Sequence, residues 1–488
     1  MEFKDYQRKT LETLDGYLAD LTSAKEKADE VAKVAAMHPD VQIVVPDFAR
    51  NAWEAQQTKL ALPPASGPYS SRLNGMNQPV PDVCLKVPTG GGKTLLAVAS
   101  LSQIFGTYLK RNTGLVLWLV PNEAIYSQTR RNLADRDHPY RQMLDRAAAG
   151  KVKLLDKESP MDRATVESHL CVLLLMLQSS NRNDKKTLRL FRDRGNVHGF
   201  FPPGDDILAH AALLKAVPNL DCYGDQDARN LGSIAKDSLG NVLRFVRPVV
   251  VMDEGHKAYS KLAVETVFGF NPCFVLELSA TPVARPPLLP NILVDVRGLA
   301  LAAEDMIKLP INLTTEPSDD WRDAVRRAFD KLNELRSEAD TLRANTSRYI
   351  RPILLIQVQR TGKDQLESGL VHSDEAKAYL LTLGLTEAEI AVKTAETNDL
   401  KSSENQDLLN PTNPIRAIIT KQALQEGWDC PFAYVLCALA ANAGLNPLTQ
   451  LIGRILRQPD ATKTGIPALD QCYVVCHHAP NAFATLGI

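Results

Sequence analysis

The run Val87-Pro-Thr-Gly-Gly-Gly-Lys-Thr94 constrains this chain more than any other stretch, because three successive glycines before Lys-Thr let backbone N–H groups crowd around phosphate oxygens. Upstream lies the short apolar run Val83 to Val87, interrupted by Lys86, and downstream lies Leu95-Leu-Ala-Val-Ala-Ser-Leu101. The turn therefore joins a strand to a helix, which is the context a phosphate-binding loop requires. In such a loop Thr89, Gly90, Gly91 and Gly92 line the phosphates at the positive end of the following helix. Lys93 then reaches the β and γ phosphates of ATP, and the Thr94 hydroxyl is a ligand for Mg2+.

Composition narrows the setting. At 488 residues the chain suggests two to four domains, each able to bury its own core. Lys and Arg total 56 against 57 Asp and Glu, a net charge of −1, which excludes a protein that coats nucleic acid by charge alone. The charged start and the shortness of the longest apolar runs, Cys171 to Leu177 and Tyr434 to Ala441, predict a soluble, cytoplasmic protein without a membrane partner. Eight cysteines with no C-x-x-C spacing fit reduced, buried thiols. Cys472 and Cys476, followed by His477 and His478, admit a metal site, but Tyr473-Val-Val between the cysteines reads better as a buried strand.

Hydrophobic periodicity sets the organisation. Phe3, Tyr6, Leu11, Leu14, Leu18 and Leu21 recur at helical steps, so residues 1–80 are read as a helical segment and a proline-rich loop leading into the first domain. Apolar strands then alternate with helices at Leu115 to Val120, Cys171 to Met176, Pro248 to Met252 and Phe274 to Leu278. That alternation predicts a parallel sheet covered on both faces, over 81–310, with an insertion at about 178–245 where it lapses. Leu309 to Arg351 is read as a crossover and a helix. A second series follows at Ile353 to Val358, Ile415 to Ile419, Ala433 to Cys437 and Cys472 to Cys476, giving a second α/β domain over 311–488.

Other motifs gather around the loop. Asp253-Glu-Gly-His256 ends the Val249 strand, and in open α/β sheets ligands bind at that end. Asp253 suits Mg2+ and Glu254 suits the polarising of an attacking water. Ser279-Ala-Thr-Pro282 ends another strand and offers two hydroxyls. In the second domain Ala423-Leu-Gln-Glu-Gly-Trp-Asp429 follows a strand, and Gln450-Leu-Ile-Gly-Arg-Ile-Leu-Arg457 reads as a helix with Arg454 and Arg457 on one face. The apolar residues around these arginines predict that they point into an anion, the γ-phosphate being the candidate.

In order from residue 6 to 457, these motifs resemble the superfamily 2 helicases, and most closely the Res subunit of type III restriction enzymes. Tyr6-Gln7 and Trp118-Leu-Val-Pro-Asn-Glu-Ala-Ile-Tyr-Ser-Gln128 complete the set. Val87 stands where the usual phosphate loop has its first glycine, a position helicase-type ATPases relax. Gly255, Leu451 and Leu456 also depart from many relatives. The resemblance implies two RecA-like domains binding ATP between them and gripping nucleic acid, most of all double-stranded DNA. It implies that Gln7 reads adenine, that His256 and Gln450 connect the domains, and that Ser279 to Thr281 couple hydrolysis to motion. Gly427 and Asp429 would contact ribose or relay the nucleotide state, with Arg454 and Arg457 as arginine fingers.

Res subunits also carry a nuclease domain, for which this chain has no room after Arg457; it is read as a fragment of a longer protein or as a motor working with a nuclease or methyltransferase partner. Pro81-Asp82 with Lys86 imitates part of a nuclease pattern but feeds the phosphate loop, so it is read as structural. Asn181 to Gly199 is locally basic and is a candidate for phosphate contact. Alternatives to a DNA translocase in defence against foreign DNA are a strand-separating helicase on DNA or RNA and a nucleotide-gated scaffold.

Overall fold

Runs of five to seven residues that are apolar on both faces belong in the middle of a parallel sheet, where helices cover each side. In the computed structural model they occupy that place. It describes residues 2–59, 61–176, 195–223, 234–254, 261–283, 289–359, 371–394, 397–402, 405, 407–421, 430–439 and 452–477. The chain folds as two units, residues 1–88 with 92–297, and residues 298–488 with 89–91.

The first unit holds a seven-stranded sheet of β1 (Asp82–Lys86), β2 (Gly114–Val120), β3 (Val152–Leu155), β4 (Leu170–Met176), β5 (Val249–Asp253), β6 (Phe274–Ser279) and β7 (Ile292–Asp295). Their order is β7-β1-β6-β5-β2-β4-β3, and every pairing is parallel. All seven residues of β2 are buried, as its unbroken Gly-Leu-Val-Leu-Trp-Leu-Val run requires. Helix α1 (Asp5–Met37) buries Leu14, Tyr17, Leu18 and Leu21 at helical spacing and packs on α2 (Phe48–Thr58). Trp53 of α2 is fully buried, with the Tyr17 ring 6.4 Å away edge-on and the Tyr69 ring at 5.6 Å. Within the expected insertion, helices Ile207–Ala216 and Leu239–Val246 are described, while residues 177–194 and 224–233 lie outside the description.

The second unit holds β8 (Ile311–Glu316), β9 (Ile353–Gln357), β10 (Ile390–Lys393), β11 (Ala417–Thr420), β12 (Ala433–Ala438) and β13 (Cys472–His477) in the order β8-β13-β12-β9-β11-β10, again wholly parallel. Each unit is thus an α/β domain built on one parallel sheet. The segment read as a crossover before a helix contains the edge strand β8, followed by a 26-residue helix from Trp321 to Thr346, here α4 once α3 (Lys93–Gln103) is counted. Cys472 and Cys476 lie buried in β13, and burial pushes both thiols up to about 12, so they stay protonated. No described helix is long and apolar enough to cross a membrane.

Candidate nucleotide site

Strand order builds the site. In the first sheet β6 lies between β1 and β5, with Lys86 opposite Ser279 and Leu278 opposite Asp253. The carboxyl ends of these three strands therefore share one rim, and each continues into one of the motifs. Two backbone hydrogen bonds stitch the rim together: Val87 N–H donates to the Ser279 carbonyl at 3.0 Å, and Glu254 N–H donates to the Leu278 carbonyl at 2.8 Å. Glu254 takes a left-handed backbone, φ 54°, which turns the chain sharply as it leaves β5.

The phosphate loop ends at Gly92, whose φ of 74° is the left-handed conformation glycine adopts without steric conflict. Helix α3 starts at Lys93, and no side chain caps its first turn. Its N–H groups thus keep the polarity that attracts a phosphate. The Gln7 side chain reaches this glycine: a Cβ at 92 would stand 2.8 Å from Gln7 Nε2. Gln7 is buried, its Oε1 accepting from Lys4 N–H at 3.0 Å and its Nε2 donating to the Tyr6 hydroxyl at 3.1 Å. An isolated Tyr-Gln in the sequence carries no sign of this placement. The fold brings it against the loop.

Lys93 Nζ and Glu254 Oε1 form an ion pair at 2.9 Å, with side chains 12% and 18% exposed. Neither motif spacing nor composition signals that pair. Asp253, at the strand end, is 8% exposed, and Ser279 is buried with its Oγ accepting from Thr281 N–H at 3.2 Å. Asp253 and Thr94 offer one carboxylate and one hydroxyl, hard oxygen donors too few to cage a cation. That fits Mg2+, which keeps several waters and takes further oxygens from phosphates. No cluster of three His, Cys, Asp or Glu side chains able to hold a metal occurs among the described residues.

In the second unit the helical turn covers 452–455, and Arg457 lies past its end in an antiparallel bridge with Ile307. This corrects the expectation that Arg454 and Arg457 share a helix face; bridge formation with Ile307 ends the helix before Arg457. His256, Gly427, Asp429 and Gln450 lie outside the described residues, as do residues 181–194 of the basic segment. Asp82, at the amino end of β1, is buried and paired with Arg72 at 3.1 Å, and Lys86 pairs with Asp295 at 3.0 Å.

Residues 49–284 match the family model described as type III restriction enzyme, res subunit. No protein of curated function matches the chain. Among solved structures, a fragment described as a candidate HsdR subunit of a type I restriction enzyme from Vibrio vulnificus is 12% identical, with a TM-score of 0.40 over 81% of this chain and 60% of that one. Saccharomyces cerevisiae Dbp5 bound to RNA is 11% identical, with a TM-score of 0.40 over 84% and 82%. Mycobacterium smegmatis helicase Lhr bound to single-stranded DNA is 15% identical, with a TM-score of 0.41 over 81% and 43%. The stretch similar to the type III restriction enzyme res-subunit family is the one that carries the phosphate loop and the strand ends at Asp253 and Ser279.

Proposed function

We propose that this chain is an ATP-driven motor that translocates on double-stranded DNA, of the kind found in type III restriction enzymes and serving defence against foreign DNA. The observation that carries the reading is the shared rim, on which the loop after β1, the acids after β5 and the hydroxyls after β6 converge and Lys93 already holds Glu254 at 2.9 Å. In this reading the γ-phosphate of ATP replaces Glu254 as the counter-ion of Lys93, and the released carboxylate orients the attacking water. Thr94 and Asp253 hold Mg2+, which neutralises phosphate charge when bound. Gln7, beside Gly92, reads the adenine, and Gly427 and Asp429 contact ribose or relay the nucleotide state. Arg454 and Arg457 stabilise charge that develops on the transferred phosphoryl group. His256, Gln450, Ser279 and Thr281 couple turnover to motion, and a nuclease or methyltransferase is the expected partner.

ATP turnover with and without duplex DNA tests the reading. A motor is stimulated strongly by the duplex, whereas a rate indifferent to DNA refutes translocation and leaves a nucleotide-gated scaffold.

A further inference from the structure

The second unit contains a pocket of about 370 Å³ at the amino ends of β9, β11 and β10, the rim opposite to the one that binds ligands in open α/β sheets. Its walls are the last turns of α4 and the segments that precede those three strands. Arg336, Arg343, Arg351 and Arg416 line it against only two carboxylates, Asp340 and Glu389. Glu389 is already committed: it accepts from Thr386 N–H at 2.9 Å and from the Thr386 hydroxyl at 3.0 Å, and it pairs with Arg416 at 2.9 Å.

The remaining positive charge has little to balance it. Arg351 is 8% exposed and, among the described residues, its guanidinium is met by neutral oxygens alone: the carbonyls of Leu408 at 2.6 Å, Asn410 at 3.1 Å and Asn413, the Asn413 side-chain oxygen at 3.4 Å and the Tyr349 hydroxyl at 3.2 Å. A buried cation without a carboxylate is costly and projects its field into the adjacent space. Burial first, and then the neighbouring Arg336, hold the Arg416 guanidinium below its ordinary pKa, a sign of crowded like charge that an anion would relieve. Arg336 and Arg343 are exposed and make no ion pair among the described residues, so their planar donor forks face the pocket as anion donors. Arg343 lies 5.2 Å from the centre of the Tyr349 ring, and that ring is pinned edge-on by Phe432 at 5.9 Å.

We propose that this pocket binds a small phosphate-bearing anion, held by Arg336 and Arg343 in the field of Arg351 and Arg416, as a second anion site distinct from the phosphate loop. Its volume is in the range of small-ligand sites, and bidentate arginine contacts suit phosphate oxygens. Inorganic pyrophosphate, titrated calorimetrically into the full chain carrying Lys93→Ala, tests this with the phosphate loop disabled. The expected result is saturable binding that weakens at least tenfold when Arg336→Ala and Arg343→Ala are added, and that survives Arg326→Ala on the same helix. Both pocket arginines are exposed, so an unchanged thermal midpoint checks that the fold is intact. Absent binding, or equal binding by the double variant, overturns the proposal. Competition identifies the source: displacement by ADP supports a free small anion, while displacement by oligothymidylate alone overturns that assignment in favour of nucleic-acid phosphates. Because Lys93 is removed throughout, failure here leaves the motor reading standing.

Discussion

Two cation–carboxylate pairs in the first unit look alike and differ in what surrounds them. Lys93 and Glu254 meet at 2.9 Å on the rim, partly open to solvent, while Arg72 and Asp82 meet at 3.1 Å with side chains only 4% and 2% exposed. A rim pair can exchange one partner for a ligand, because water and ligand reach it. A fully buried pair cannot exchange, and losing either member strands a charge in low dielectric. The difference teaches that the same chemistry leaves a pair exchangeable at the strand ends and rigid inside the sheet.

The comparison breaks most visibly under substitution. Lys93→Ala and Glu254→Gln should each lower ATP turnover by about 10²-fold or more, the scale of lost transition-state stabilisation, with the thermal midpoint nearly unchanged. Full activity in either variant would falsify the roles assigned to the pair. Arg72→Ala should do the reverse, removing about 3–5 kcal/mol from the first unit in urea unfolding. A loss below about 1 kcal/mol, the scale of a surface pair, would mean that Asp82 finds another partner.

The second unit sharpens the contrast with a buried lysine that has no carboxylate partner among the described residues. Lys308 is fully buried, donates to the carbonyls of Pro431 at 2.9 Å and Ala433 at 2.7 Å, and lies 3.8 Å from the centre of the Tyr434 ring. Burial lowers its pKa to about 7. Between that value and the ordinary lysine range the unfolded chain holds a proton that the folded chain lacks, so stability rises with pH in that window. Lys308→Met should flatten the rise by at most about 1.4 kcal/mol per pH unit, read from urea midpoints at pH 7 to 9. An identical slope in the variant sinks the assignment.

The smallest effect belongs to Glu277, on β6 near Asp82. Burial, and then the Asp82 charge, raise its carboxyl well above the usual range, so the folded state holds a proton that the unfolded state releases. Stability is lost as pH rises above the ordinary carboxylate range, and Glu277→Gln should restore it. The expected gain is about 1 kcal/mol, or about 2–4 °C in midpoint, larger at pH 8 than at pH 6. A gain independent of pH would place the proton elsewhere.

Legibility in the sequence followed position in the sheet. The interior strands β1, β2, β4, β5, β6, β9, β11 and β12 announce themselves as apolar runs, because helices cover both faces. The strands that escaped, β3, β7, β8 and β10, all stand at sheet edges. β8 shows the reason: Ile311–Glu316 has no fully buried residue, so Asn312, Thr314 and Thr315 are tolerated and the apolar signal is diluted. In the site the placement of the loop, Asp253, Glu254 and Ser279 at strand ends was legible because each closes or directly follows an apolar run. Arg457 was misplaced on a helix because its apolar neighbours fit a helical period as well as a short turn followed by a bridge.

By itself the sequence determined that this chain builds two parallel sheets and a phosphate loop, since periodicity and glycine spacing are local properties that the backbone must obey. Tertiary structure alone decided that β6 inserts between β1 and β5, that Lys93 rests on Glu254, that Gln7 abuts Gly92 from 85 residues away, and that four arginines from α4 and two loops line one pocket. Each of these joins residues distant in the chain, and such contacts depend on strand order and burial, which no local pattern encodes.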